Sequence, residues 1–236
     1  MVTRLLVSFC AIGLILGSVA APPASAQQSV NLFVGAFIPH GSDARGGDDV
    51  LFRNGDFLIF DMRDFKGVTA GGEYLVGLGD HFDAGLGVGI YSRSSRAVYR
   101  KFTHPGGAEI EQDLNLRVVP FTATIRFLPL GHHDAIVPYV GGGAGIYRWQ
   151  YSETGEFLDP QNNIFRDNET YRVSDTTVGP VILGGVRVPI GSKGSGFGGE
   201  IRYQGGKGNL PAALQFAGSK IDLGGFNYLF TVNIGL

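Results

Sequence analysis

The C-terminal segment 226–236 alternates strictly between two kinds of residue, and this pattern constrains the fold more than any other feature of the chain. Successive side chains of a β-strand point to opposite faces, so a period of two predicts a strand. One face of this strand is fully apolar, and such a row would precipitate the chain in water, so we expect it to face lipid. The apolar face carries Phe226, Tyr228, Phe230, Val232, Ile234 and Leu236, and the other face carries Leu229, Thr231, Asn233 and Gly235.

The same alternation recurs along the chain after residue 27, where no segment shows a sustained helical period. It is clear in four further segments and weaker in three, which together with the C-terminal segment predicts eight strands. The seven further strands are predicted at 30–38, 68–78, 82–90, 114–128, 136–149, 178–190 and 197–203.

The connections between these strands alternate regularly between short and long. Short connections rich in Gly, His, Lys and Ser occur at 79–81, 131–134 and 191–195, whereas the others are long, polar and irregular. Barrels of bacterial outer membranes have short turns on the periplasmic side and longer loops outside. The sequence therefore predicts an all-β fold, an eight-stranded antiparallel transmembrane barrel of up-and-down topology. Its four external loops are expected at 40–66, 93–112, 151–174 and 205–221.

The first 26 residues predict a secretory signal peptide. A positive charge at Arg4 is followed by an apolar run, 5–20, and by the small-residue pattern Ala24-Ser25-Ala26. A transmembrane anchor is the alternative, but the apolar run is shorter than the ~20 residues that span a bilayer comfortably. We expect cleavage after Ala26 and a single barrel domain over 27–236.

Composition excludes several classes of protein. The chain has 38 glycines in 236 residues and only 17% charged residues, with a formal net charge of −2. No basic excess exists to track a nucleic-acid backbone, so we expect no nucleic-acid partner. A single cysteine excludes a disulfide scaffold, and abundant aromatic residues argue against disorder. A soluble barrel that binds an apolar ligand inside would need the opposite distribution of charged and apolar faces.

The sequence resembles the small outer-membrane β-barrel proteins of Gram-negative envelopes, of the OmpA transmembrane domain, OmpX and OmpW type. The signal peptide, the segment 137–143 and the terminal strand 225–236 carry the resemblance. It implies location in the outer membrane, contact with lipids and lipopolysaccharide, and recognition of the C-terminal strand by the outer-membrane assembly machinery. It also implies a monomer without a cofactor or a bound metal. Members of this family often end in an aromatic residue, whereas this chain ends in Leu236.

Six charged residues fall on the predicted inner face of the strands. Three acids and three bases suggest a paired network, which either satisfies polar groups kept away from lipid or forms a gate. A turn at 191–196 would set Arg187 opposite Glu200, and the turn at 79–81 would set Glu73 opposite Gly87. The six residues are Glu73, Asp83, Arg126, Arg187, Glu200 and Arg202.

An eight-stranded barrel has an interior just wide enough for its own side chains. Large residues such as Tyr91, Tyr139 and Trp149 would fill it, so a general porin is excluded. We therefore expect a non-enzymatic protein with a structural or interaction role exercised through its loops. A narrow channel for small solutes is the alternative.

The segment 50–62 is too apolar for an ordinary exposed loop. Asn54-Gly55 between apolar triplets predicts a hairpin, whose arms are too short to span a membrane. Such a hairpin would extend the first loop above the membrane, form a lid over the barrel, or contact a lipid or partner.

Other candidate sites carry weaker signals. His104, with Ser92, Ser94 and Ser95, lies on the side where a rim site of a lipid-modifying enzyme would lie, but nothing in the sequence fixes a nucleophile beside it. Glycine runs near 85–89 and 141–145 lack the helix that a phosphate loop requires. Two further groups are predicted to be solvated surface residues rather than metal ligands. These are Asp43, Asp48 and Asp49 in the first loop, and His132 and His133 in a short turn.

Overall fold

The computed structural model describes residues 27–158, 165–191 and 195–236, with the side chains of 165–168 excepted. Strands dominate this part of the chain, and the predicted signal peptide lies outside it. In chain order the elements are β1 (Gln28–Pro39), α1 (Val50–Asn54), β2 (Leu58–Ile59), β3 (Gly67–Gly77), β4 (Phe82–Thr103), β5 (Glu109–Phe127), β6 (Val137–Leu158), β7 (Phe165–Pro189), β8 (Gly196–Gln204), β9 (Lys207–Asn209), β10 (Lys220–Asp222) and β11 (Gly225–Gly235).

Eight of these strands close into a ring. Each of β3 to β8 pairs antiparallel with its neighbours, and β2 adds only a short pairing on β4. The ring closes where β1 pairs with β11, from Ser29 opposite Gly235 to Pro39 opposite Gly225. This meander confirms the predicted eight-stranded antiparallel barrel.

The outer surface of the ring is an apolar belt. Outward residues near the middle of the strands expose large apolar side chains, with 67% of Leu86, 60% of Ile182 and 53% of Phe230 accessible. On β4, β5, β6 and β7 the apolar rows end within one outward step of one another in the strand register. The last apolar residues are Ile90, Val119, Ile146 and Val178, and the next outward residues are Ser92, Arg117, Arg148 and Thr176.

Strands β4 to β7 continue far beyond the rest of the ring. Residues 93–112 and 151–174 were expected to be irregular loops, but β4 reaches Thr103 and β6 reaches Leu158. The prediction is wrong there because the inner face of this extension includes polar residues such as Ser95, Gln112 and Glu153, which weakens the contrast between the two faces. Its inner face still carries buried apolar residues such as Leu114 and Val173.

The four-stranded extension, formed by the parts of β4 to β7 above the apolar belt, covers a second core. Segments 40–66 and 205–224 fold against its inner face. The large side chains of this core come from both the extension and the two segments, and Trp149 is only 1% exposed. Members from the segments are Val50, Leu51, Leu58, Phe65, Leu210, Ile221 and Leu223; members from the extension include Leu114, Leu116, Trp149 and Tyr151.

The apolar segment 50–62 contributes a helix rather than a hairpin. Asp49 caps α1 by accepting hydrogen bonds from the backbone N–H groups of Leu51 and Phe52, both at 3.0 Å. Gly55 has φ −61°, whereas the predicted two-residue hairpin needs positive φ at both central positions. The capped helix buries Leu51 in the second core, which accounts for the apolar composition of the segment.

No helix in the described ranges is long and apolar enough to cross a membrane.

Two predicted registers have different outcomes. Glu73 lies opposite Gly87, as expected. The pairing of Arg187 with Glu200 is wrong by two residues, and Arg187 lies opposite Gly198. Gly196, expected to lie in the turn, is already paired with Pro189. A shift of two residues changes the partner but leaves every side chain on the same face of the sheet.

We predict that Leu51→Ala destabilises the second core while leaving the barrel folded. Removing a fully buried leucine side chain costs about 2–5 kcal/mol. Trp149 is the only tryptophan and is buried in this core, so its fluorescence reports the transition directly. The urea midpoint of this fluorescence change should fall.

Phe52→Ala is the matched control, because Phe52 is the next residue of α1 and is 39% exposed. It should lower the midpoint less than Leu51→Ala. Equal effects of the two variants would show that α1 is not anchored in the core by Leu51.

Candidate functional site

Four charged residues form a closed ion-pair network inside the barrel. Arg202 Nη2 lies 2.7 Å from Glu200 Oε1 and 3.3 Å from Glu73 Oε2, and Arg126 Nη2 lies 3.0 Å from Glu200 Oε2. Arg126 also contacts Glu73. These side chains are at most 7% exposed, so each arginine neutralises carboxylates where water is largely excluded.

The network spans the lumen because its members come from strands on different sides of the ring. Glu73 belongs to β3, Arg126 to β5, and Glu200 to β8. Space for the Glu73 carboxylate is provided by Gly85, where an added Cβ would approach Glu73 Oε1 to 2.7 Å. Thr124 donates a hydrogen bond to the same oxygen at 3.0 Å.

Aromatic side chains make further contacts with the network. Tyr139 donates its hydroxyl proton to Glu200 Oε2 at 3.0 Å, and the Arg126 guanidinium lies 4.9 Å from the Tyr139 ring centre. The Arg202 guanidinium lies 5.2 Å from the ring centre of Phe33. Hydrogen bonds and ring contacts therefore fix the orientation of both arginines.

The remaining two residues of the predicted six form a separate cluster near the short turns. Asp83 Oδ2 accepts a hydrogen bond from Arg187 Nη2 at 3.1 Å, and Asp83 Oδ1 lies 2.6 Å from His132 Nε2. The prediction that His132 is a solvated surface residue is therefore wrong. Its side chain is 9% exposed, because the turn after β5 folds it against the inward carboxylate of Asp83.

Inward side chains fill the lumen at the level of the network, where Glu73 is 2% exposed and Arg126 and Glu200 are each 3% exposed. A cavity of about 20 Å³ lies between inward side chains that include Thr122, Arg202, Gln204 and Asn227. A volume of this size fits roughly one water molecule. Buried side chains therefore occupy the lumen at the level of the network.

A second polar cluster joins the two segments of the extramembrane core. Arg45 Nη1 donates to both carboxylate oxygens of Asp49, each at 3.0 Å, and the Asp222 backbone N–H donates to Asp49 Oδ2 at 2.6 Å. Asp49 is 2% exposed, so the prediction of a solvated residue is wrong for it. Asp48 is half exposed and pairs with Lys220 at 2.8 Å. No group of three possible metal ligands was found among the described residues.

Glu153 is a buried carboxyl group that the sequence did not single out. Asn54 Nδ2 and the Tyr151 hydroxyl each donate a hydrogen bond to Glu153 Oε1 at 2.7 Å. Burial raises the pKa of Glu153, and the two hydrogen bonds only partly oppose this effect. The group ties α1 to β6, and Asn54 Oδ1 has no hydrogen-bond partner within the described parts of the chain. The alternation of the strand places Glu153 on the inner face, and this position could have identified it as a buried carboxyl group.

The structure does not assemble a nucleophile at His104. His104 Nε2 lies 2.9 Å from Glu156 Oε2, and Ser95 Oγ contacts Asp64 Oδ2 at 3.4 Å. Ser92 and Ser94 are exposed on the outer face of β4. The arrangement that a lipid-modifying rim enzyme would need is therefore absent from these four candidate residues.

Comparisons with known proteins give similarities of architecture. No family model and no curated protein matches the sequence. The solved structures similar to this chain include the outer membrane protein OprG from Pseudomonas aeruginosa, with 12% identity over 89% of this chain and 96% of that chain and a TM-score of 0.49. Neisserial surface protein A has 12% identity over 88% and 96%, with a TM-score of 0.45. The N-terminal β-barrel domain of Pseudomonas aeruginosa OprF has 9% identity over 89% and 99%, with a TM-score of 0.39. The identities are low and the TM-scores lie below 0.5, so the barrel assignment depends on this chain's own strand pairing.

We predict that Arg126→Gln strongly destabilises the barrel, because it leaves Glu73 and Glu200 with fewer counter-charges in a buried site. Breaking a buried ion pair by removing one partner costs about 3–5 kcal/mol. The double variant Arg126→Gln/Glu73→Gln should lose less than the sum of the two single variants. The measurement is the free energy of unfolding of the refolded barrel in lipid vesicles.

Arg187→Gln provides the control, because Arg187 pairs with Asp83 in the separate cluster. Its effect should add to that of Glu73→Gln within error. Strict additivity of Arg126→Gln and Glu73→Gln would instead contradict the network.

We predict that the second core becomes less stable as pH rises through the raised pKa of Glu153. The folded state holds the proton more tightly than the unfolded state, whose carboxyl pKa is near 4.5. Stability is therefore greatest below pH 4.5 with respect to this group, and falls as pH rises above that value until the folded carboxyl has ionised. Glu153→Gln should remove this dependence and raise the urea midpoint of Trp149 fluorescence at pH 8.

Glu111→Gln is the matched control for this measurement. The Glu111 side chain is 48% exposed on the outer face of β5. It should leave the pH dependence of the midpoint unchanged. A dependence that persists in Glu153→Gln would assign the effect to another group.

Proposed function

We propose that this chain is an integral outer-membrane protein, non-enzymatic, that acts through its extramembrane surface while its lumen stays closed. The observation that carries the proposal is the apolar belt, which surrounds a closed ring and ends within one outward step of the same register on four neighbouring strands. Closure of the sheet pairs the backbone groups that an open edge would leave unsatisfied in hydrocarbon. The apolar side chains on the outside then meet lipid rather than water.

The distribution of charge supports the same orientation. Within the belt, the charged residues Glu73, Arg126, Glu200 and Arg202 point into the lumen, where they neutralise one another. Above the belt, charged residues such as Arg117 and Arg148 point outwards. The long extension of β4 to β7 would lie outside the cell, because long connections of such barrels are external and short turns periplasmic.

Export and assembly follow from the same proposal. Residues 1–26 would direct export as a signal peptide, and the C-terminal strand β11 would be recognised by the outer-membrane assembly machinery. Outer-membrane lipids and lipopolysaccharide would surround the belt. We propose a monomer, because closing β1 on β11 leaves no open edge within the ring for a second copy to pair with.

An interaction role is supported by the surface of the extramembrane part. Large apolar side chains are exposed there although a second core is available to bury them: Phe57 is 38% exposed, Ile59 50% and Phe102 43%. They lie on or beside β2 and the upper part of β4. Exposed apolar groups on an ordered surface are typical of contact with a partner.

The narrow-channel alternative predicts a different electrical behaviour. We expect the chain refolded in planar bilayers to give no discrete openings, because buried side chains fill the lumen at the level of the network. The preceding control is a gel shift that shows folding only in detergent or lipid. Reproducible openings would favour the channel, and folding in plain buffer would overturn the membrane assignment.

We predict that Ile182→Arg prevents stable insertion into lipid vesicles. Ile182 is 60% exposed in the apolar belt, and an arginine at the lipid-facing midplane of such a barrel costs about 2–4 kcal/mol. The measurement is the free energy of folding into vesicles. Ser174→Arg is the control, because Ser174 is outward and exposed on the same strand above the belt. Equal costs at both positions would contradict the proposed height of the membrane.

A further inference from the structure

Two arginines occupy the first polar level above the apolar belt on adjacent strands. Upwards from the belt, Arg117 is the next outward residue after Val119 on β5, and Arg148 is the next after Ile146 on β6. Arg117 lies directly opposite Gln150, so Arg148 is its diagonal neighbour across the strand pair. Residues at such diagonal positions are about 7–8 Å apart. At this separation the two long arginine side chains can both reach one shared anion.

The polar side chains that lie opposite the two arginines can donate hydrogen bonds, and none of the residues paired with the arginines is acidic. Ser92 lies directly opposite Arg117 on the other side, and Thr176 lies directly opposite Arg148. The next acid on the outer face of β5 is Asp113, about 13 Å further along the strand. Two like charges as close neighbours are destabilising unless an anion lies between them.

Several other arginines of the extension and its covering segments have partners within the protein. Arg45 pairs with Asp49, and Arg96 lies 3.5 Å from Glu111. Arg93 and Arg100 donate to backbone carbonyl groups, those of Asp64 and of Gly55 and Leu58 respectively. Within the described residues, by contrast, neither Arg117 nor Arg148 has an acidic group within ion-pair distance. Their charge is available to a ligand.

We infer that Arg117 and Arg148 hold a phosphate group of an outer-leaflet glycolipid, such as the phosphorylated lipid of lipopolysaccharide. The planar guanidinium matches phosphate oxygens in a bidentate manner. One residue step above the belt is the height of lipid headgroups. The apolar residues directly below, Val119 and Ile146, would contact the acyl chains of the same molecule, which favours a lipid over free phosphate. The inference rests on the proposed membrane orientation.

The test measures binding of diphosphorylated lipid A to the full chain refolded in detergent micelles. We expect the wild-type protein to prefer this lipid over the same lipid without phosphates, and Arg117→Gln/Arg148→Gln to weaken binding at least tenfold. The control is Arg172→Gln. Arg172 is exposed on the outer face of β7, four residues above Thr176, so it should not change affinity. A gel shift checks that every variant folds.

The outcomes separate this inference from the proposed function. Equal affinity of the double variant and the wild type would overturn the phosphate site while leaving the membrane assignment intact. The same holds if inorganic phosphate at millimolar concentration displaces the lipid and binds on its own, because the site would then take a soluble anion. Failure of the wild-type chain to fold in lipid or detergent would instead overturn the proposed function.

Discussion

Closure of the sheet between β1 and β11 is the constraint on which the rest of the structure depends. An open edge would leave a row of backbone donors and acceptors unpaired, and closure removes it. Closure also creates an inside that is narrow and excludes water. Polar side chains on the inner face must then satisfy one another, and Glu73, Arg126, Glu200 and Arg202 do so at distances of ion pairs. Ring closure thus brings the four residues of the network together, and their ion pairs in turn stabilise the closed ring.

The same strands face lipid in their lower part and water in their upper part. The outward side chains change from apolar to polar between these two parts. In the lower part of β6, Val140 points outwards and Tyr139 inwards towards the ion-pair network. In its upper part, Arg148 points outwards, whereas Trp149 and Tyr151 point inwards into the second core. The backbone pairing with β5 and β7 runs through this change without a break at that level. Side-chain chemistry alone therefore sets the height at which lipid would give way to water.

Sequence reasoning predicted the barrel because period two and an unbroken apolar row depend only on local alternation. It missed α1, because the helix is stabilised by a core assembled from segments far apart, with Leu51 packing among residues of β5 and β6. It misplaced Arg187 relative to Glu200, because register depends on where a turn closes, and Gly196 reads equally well as turn or strand. It did not single out Glu153, although the residue occupies an inward position, because the carboxyl group acquires its partner Asn54 only in the folded chain.

The order of the extension and of the segments that cover it determines which residues would encode binding specificity. Segments that read as flexible loops are held by strand pairing and by a core with its own capped helix, so their outer surfaces are presented rigidly. A rigid surface loses little conformational entropy when it binds, which favours recognition by fixed side chains over folding on contact. The outward arginines at the edge of the belt and the exposed apolar groups near β2 are positioned in this way by β4, β5 and β6. Variation in the inner residues of the extension would therefore alter binding only by first disturbing the second core, whereas variation on its outer face can change the ligand and leave the fold intact.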